Sequence, residues 1–222
     1  MAARNSRFLI TATPVTIIAH LMGIVATTLV LVWTLHFRDG LSLKSENKQK
    51  IFNVHPVLMV IGFIFVAGEA IMAYKTIPGS RKARRAVHMA LHLVALLVGI
   101  LGVYTIFKFH REVGIPDMYS LHSWLGMGTI CLFGLQWLLG FFSFWFPGAE
   151  TSARVKYMPW HIFFGMAIFL MAICTAETGL VQEFIFLRLV HGREALVVNF
   201  IGVAILLFGL AVVFSALLPR YR

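Results

Sequence analysis

The chain has 222 residues, 59% of them hydrophobic and only 13% charged, with a mean hydropathy of +0.86. So little charge at this length excludes an ordinary soluble domain and makes membrane lipid the expected surroundings. The formal net charge of +10 would point a soluble protein toward nucleic acid. Beside apolar spans it is explained by basic loops retained in the cytoplasm, so no nucleic-acid partner is expected.

Apolar runs long enough to cross a ~30 Å hydrocarbon core are read at 14–35, 51–74, 86–107, 119–144, 159–181 and 196–218. The polar stretches near 38–50, 75–85, 145–158 and 182–195 read as loops. The expected fold class is therefore an all-α integral membrane protein, a single domain over 1–222 with six transmembrane helices.

The first span follows the short basic stretch MAARNSRFLITATP. Its run from Val15 to Leu35 is too long for a signal-peptide core and has no clear cleavage site, so it is read as a retained helix. The second span carries His55 near its start and Glu69, read as structural, near its end. Between the second and third spans Lys75, Arg81, Lys82, Arg84 and Arg85 occur with no acidic residue among them. Sorting the loops alternately puts eleven Lys and Arg on the side of the termini and eight on the other. Both termini are therefore placed in the cytoplasm. The third span carries His88 and His92, the fourth His122, and the fifth His161. Cys131 and Cys174 lie inside spans and read as small apolar residues, not as a disulfide framework.

Four of the nine histidines form a set: His55, His88, His122 and His161 each lie within the first turns of consecutive spans. Alternating helix direction puts His55 and His122 near one membrane face and His88 and His161 near the other. A single intramembrane histidine reads equally well as a neutral ring bonded to a backbone carbonyl. Two facing pairs instead fit two haem irons, each held from both sides with no open position, which favours electron transfer over oxygen chemistry. No C-x-x-C-H is present, so the haem would be non-covalently bound. His92 shares a helix face with His88 but lies ~6 Å deeper by helix rise; depth matching to His161 favours His88. His20 and His36 have no histidine partner at matching depth, and His110 and His191 fall in non-cytoplasmic loops. Gly62, Gly68, Gly99, Gly102, Gly126 and Gly128 admit either a flat cofactor or close helix packing. Trp124 and Trp160, beside the expected ligands, are candidates to line the porphyrins.

The segments FNVHPVLMVIGFIF (52–65), MYSLHSWLG (118–126) and MPWHIFFG (158–165) closely resemble the cytochrome b561 family. GEAIMAYK (68–75) and the MPWH form of the fifth span are plant-like. The resemblance implies a four-helix di-haem core built from helices two to five. It implies two haem b per chain, on His55 with His122 and His88 with His161. It further implies ascorbate as cytoplasmic electron donor, monodehydroascorbate or a ferric chelate as trans-side acceptor, and a homodimer. The membrane is read as vacuolar, another endomembrane or the plasma membrane.

Arg81, Arg85 and Arg154 resemble the family's basic residues at its cytoplasmic ascorbate site, where relatives often carry Lys at the first two. A basic patch there suits a monoanion, although positive-inside topology and anionic-lipid contact account for the cluster equally well. His110, Tyr119 and Asn199 resemble the second, trans-side pocket, with His110 a candidate proton acceptor. This chain departs from the pattern at Gln182-Glu183, where relatives often have Glu-Lys, and at Glu177, an intramembrane carboxylate. Two rivals stay open from sequence: a haem-binding membrane anchor for another catalytic subunit, and a proton or metal transporter using intramembrane His and Glu.

Overall fold

The computed structural model describes residues 12–219. The basic N-terminal stretch through residue 11, and residues 220–222, lie outside the described residues. Among the described residues, six helices are long and apolar enough to cross a membrane: α1 Ala12–Phe37, α2 Gln49–Thr76, α3 Arg81–Val113, α4 Leu121–Phe144, α5 Thr151–Phe186 and α6 Arg193–Leu217. All described regular structure is helical. The chain is thus a multi-pass integral membrane protein.

The spans begin and end near where hydropathy put them, except that α3 and α5 are much longer. At 33 and 36 residues they extend to about 50 Å by helix rise, well beyond a ~30 Å core. Hydropathy senses lipid, not helix ends, so the stretches expected as loops at 75–85, 145–158 and 182–195 are largely helical extensions. The ends of α3 are set by local chemistry: Ser80 Oγ accepts the Ala83 N–H at 3.2 Å, and Gly114 closes the helix with φ 74°, a left-handed conformation that favours glycine. Ser120 caps α4 likewise by accepting the Ser123 N–H at 3.2 Å. Arg84 ties the α2–α3 turn together, donating to the carbonyls of Ile77 at 3.1 Å and Gly79 at 2.7 Å. In α2 a π-helical stretch, Leu58–Phe65, starts two residues after Pro56, whose ring removes a backbone donor from the helix interior.

Helices α2 to α5 form a ring in chain order, closed by contact of α5 with the π-helical part of α2. The paired helices α1 and α6 lie outside it, α6 bridging to α5 and α2. Small residues let these backbones approach. Gly68 faces Phe208 and Gly62 faces Val98, and a Cβ at Gly209 would meet Ile173 at 2.8 Å. The middle of the ring is packed by Phe63, Ile130, Phe133, Ile168 and Phe169, with the rings of Phe63 and Phe133 4.9 Å apart. This apolar layer separates a cavity at the end of the chain termini from one at the far end.

Candidate functional site: two cavities, each with a facing pair of imidazoles

At the far end His55 of α2 faces His122 of α4, their ring centres 6.1 Å apart. At the termini end His88 of α3 faces His161 of α5 at 6.3 Å. Two imidazoles bonded to one metal through ~2 Å bonds have ring centres a little over ~6 Å apart. Both pairs have that spacing. The fixed points of the two layers are about 21 Å apart along the bundle, because the Gly102 carbonyl that holds His55 lies 14 residues beyond His88 on α3.

Three of the four rings have their tautomer fixed by the backbone. Nδ1 of His55 lies 3.0 Å from the Gly102 carbonyl, Nδ1 of His88 2.8 Å from that of Ala70, and Nδ1 of His122 2.9 Å from that of Thr175. A carbonyl oxygen only accepts, so Nδ1 donates in each case and Nε2 keeps its lone pair for a metal. The fourth ring differs. Nδ1 of His161 lies 3.1 Å from the side-chain nitrogen of Gln136, which donates to the His161 carbonyl at 2.7 Å.

Two glycines clear room for the rings. A Cβ at Gly179 would stand 2.7 Å from Cε1 of His122, and one at Gly140 would stand 3.1 Å from Cε1 of His161. The sequence singled out other glycines, and Gly62, Gly68, Gly99 and Gly102 stand so close to neighbouring apolar side chains that a Cβ would clash, which serves helix packing. Of those six, Gly126 lines the far cavity. The paired rings, the Nδ1–carbonyl bonds and these clearances together fit a flat metal macrocycle in each cavity.

The cavity at the termini end has a volume of about 1130 Å³, and Lys75, Arg81, Arg85 and Arg154 lie in its wall. Arg85 donates to the Phe144 carbonyl at 2.9 Å, stacks on Trp145 at 5.3 Å, and keeps a buried Nε without a partner. Arg154, half-buried, donates to Thr151 Oγ1 at 3.1 Å. His92 packs 4.5 Å from the His88 ring and 5.3 Å from Phe133, lying deeper than the facing pair.

The far cavity, about 380 Å³, is lined by His55, His122, His110, Tyr119 and Glu183 among others. His110 Nδ1 lies 2.9 Å from Asp117 Oδ1, and its ring lies 6.2 Å from Tyr119. Burial first, then the Glu183 carboxylate, raises the Tyr119 phenol above its ordinary value.

Residues 54–187, which hold all four imidazoles, match the family described as eukaryotic cytochrome b561. The chain belongs to that family. It is 48% identical over 213 residues to a probable ascorbate-specific transmembrane electron transporter 1 of Oryza sativa subsp. japonica, covering 94% of this chain and 91% of that protein. It is 42% identical over 211 residues to transmembrane ascorbate ferrireductase 2 of Arabidopsis thaliana, covering 93% and 92%. It is 37% identical over 201 residues to a transmembrane ascorbate-dependent reductase of Pongo abelii, covering 88% and 79%. Membership of the cytochrome b561 family implies haem b binding.

Some residues of this cytochrome b561 stand elsewhere than the sequence led us to expect. Asn199 lies inside α6 on its exposed side, not in the wall of the far cavity. Trp124 and Trp160 are 65% and 57% exposed and point away from the cavities, as aromatic residues of a membrane-interface belt do. Phe63, Phe133, Phe144 and Trp145 are among the aromatic residues of the walls instead. Cys131 and Cys174 are unpaired and exposed, not buried in the bundle. Glu69 and His20, read separately, meet at 2.8 Å between α2 and α1. Glu177 packs against Gly202 of α6, with one oxygen unpartnered. Gln136 escaped the sequence reading, although a lone amide in the apolar run LFGLQWLLG is a signal for it.

Proposed function

We propose that the chain transfers electrons across a membrane from ascorbate, at the end carrying its termini, to an acceptor at the far end. The single domain of residues 1–222 would hold two haem b, non-covalently, one on His55 and His122 and one on His88 and His161. The observation that carries this is the pair of ring separations, 6.1 and 6.3 Å, with Nδ1 of three rings spent on carbonyls. Relatives are named as ascorbate-specific electron transporters and ascorbate ferrireductases, which supports ascorbate as donor and an oxidoreductase activity.

Bound haem supplies a reversible one-electron couple, and the protein supplies axial ligation, a dry interior and orientation. Ascorbate is a monoanion at neutral pH. The basic wall of the termini-end cavity draws it in, and Arg85, with its unpartnered Nε, and Arg81 and Arg154 orient it. At the far end His110, held by Asp117 and beside Tyr119, faces the acceptor and, where that acceptor is the monodehydroascorbate radical, supplies the proton that accompanies the electron. A monodehydroascorbate radical or a ferric complex is the acceptor class. The run of basic residues from 75 to 85 supports a cytoplasmic placement of both termini, in an endomembrane such as the vacuolar one or in the plasma membrane. Homodimerisation follows from family resemblance.

The test is vectorial. The purified chain is reconstituted into liposomes containing ascorbate, with a membrane-impermeant ferric complex outside. Reduction outside that needs both the protein and internal ascorbate is expected. A chain whose haem is reducible only by dithionite would make it an anchor for another enzyme.

A further inference from the structure

Among the described residues Glu183, in the last turn of α5, is the one acid in the wall of the far cavity. No hydrogen bond or ion pair of its carboxyl group occurs among the described residues. Arg38 at the end of α1 and Glu194 at the start of α6 act on it with opposite sign, and they lie 3.5 Å from each other. Tyr119, just before α4, feels its charge across the mouth. His110 of α3 and the facing rings of His55 and His122 are the other titratable groups of the wall. Glu183 stands beyond the apolar stretch of α5 that ends at 181. Burial there, opposed by Arg38 and aided by Glu194, pushes its carboxyl up to about 7. Near neutral pH such a group both holds a proton and releases it.

His110 has a matching need. Its Nδ1 is held by Asp117 at 2.9 Å, so a proton given to an acceptor leaves from Nε2 and has to be replaced at Nε2. Asp117 stands at the other edge of the ring and does not reach that atom. The His110 side chain is only 12% exposed and lines the same cavity as Glu183. The cavity is therefore the route by which the ring is recharged.

We infer that Glu183 is the proton-loading group of the far site: its carboxyl takes a proton from water on that side and passes it through the cavity to His110 after each transfer to a monodehydroascorbate radical. The inference rests on the electron-transfer reading above and deepens its far-end half-reaction. The radical anion gains one electron delivered through the protein and one proton from His110 Nε2, and becomes the ascorbate monoanion. The imidazole regains its proton from the Glu183 carboxyl, and the carboxylate regains one from water. Charge and atoms balance with no further reagent. An acceptor that takes an electron alone uses none of these proton steps.

The experiment uses liposomes of the full chain, loaded with haem, with ascorbate inside. Two impermeant monoanions are offered outside, so that the charge of the far end acts on both alike. One is the monodehydroascorbate radical, made by ascorbate oxidase and followed by its EPR signal. The other is cobalt(III) EDTA, an outer-sphere oxidant that needs no proton. The ratio of radical rate to cobalt rate is measured across neutral pH for the wild type, Glu183→Gln and Glu183→Asp. In the wild type the ratio is expected to fall as pH rises through about 7, where the Glu183 carboxyl loses the proton it would pass on. In Glu183→Gln it is expected to be about tenfold lower on the acid side of that inflection, and the inflection to be gone. Glu183→Asp keeps a carboxyl and is expected to keep the inflection. A ratio unchanged in Glu183→Gln, or an inflection that survives it, would overturn the assignment while leaving electron transfer intact. A wild-type ratio that is flat across neutral pH would overturn it without any variant, so a folding defect does not shelter the inference. Failure of internal ascorbate to reduce the haem would bring down the underlying reading and this inference with it.

Discussion

The side-chain amide of Gln136 stands 3.1 Å from Nδ1 of His161, where the other three facing imidazoles each meet a backbone carbonyl. A carbonyl acceptor makes an imidazole a stronger donor to its metal. His161 lacks that acceptor, and the second bond from Gln136, to its own carbonyl at 2.7 Å, fixes its turn of helix. Gln136→Leu removes both contacts. It is expected to move the midpoint potential of one haem component only, by about 30–60 mV, where ~59 mV is a tenfold change for one electron. A spectroelectrochemical titration that resolves the two components reads this, and equal movement of both would contradict a local role.

Gly179 is tight against His122. Adding a methyl group 2.7 Å from the ring forces the imidazole off its line. Gly179→Ala is therefore expected to lower haem content from about two to about one per chain, with the remaining haem spectrally normal. Gly140→Ala, with its nearest atom at 3.1 Å, is expected to retain both. Pyridine haemochrome content per chain checks the pair.

Arg84 and Arg85 are sequence neighbours with different work. Arg85 faces the cavity with a buried, unpartnered Nε. Arg84 is consumed by the Ile77 and Gly79 carbonyls. Arg85→Ala is expected to raise the KM for ascorbate about tenfold, the loss of a charged hydrogen bond of ~1.5–3 kcal/mol. Arg84→Ala is expected to lower Tm while leaving that KM within about twofold. Steady-state kinetics in ascorbate concentration, with a thermal melt of each variant, separates them.

The His110–Asp117 contact, 2.9 Å long, concerns the other half-reaction. His110→Ala is expected to slow reoxidation of ascorbate-reduced protein by the monodehydroascorbate radical, about a hundredfold for loss of a positioned proton group. Asp117→Asn is expected to slow it less, since the ring remains. Stopped-flow absorbance follows reduction and reoxidation separately. Slowing confined to the reduction phase would remove His110 from the far-end reaction.

Much of the fold was legible in the sequence because lipid imposes a coarse rule: a span must be apolar for about 20 residues. The depth matching of His55 with His122 and of His88 with His161 followed from the same rule and helix alternation. The ends of α3 and α5 were hidden, since Arg81, Arg85 and Arg154 lie on helical turns outside the apolar stretch, where hydropathy is blind. Orientation about the helix axis was equally hidden. Trp124 and Trp160 sit two residues after His122 and one before His161, yet that small offset turns them outward. Asn199 missed the far cavity for the same reason. Gly140 and Gly179 could not be told from packing glycines until their ring neighbours were known. The His20–Glu69 contact joins residues 49 apart, a tertiary pairing without local signature.

Haem stoichiometry with redox response is the most direct test of the central claim. The full chain is purified in detergent, haem per chain is measured, and visible spectra are recorded oxidised, with ascorbate and with dithionite. About two b-type haems per chain, in six-coordinate low-spin form and substantially reduced by ascorbate, is the expected result. A chain that binds no haem, or one whose spectra are unchanged in both His55→Ala and His161→Ala, would contradict it.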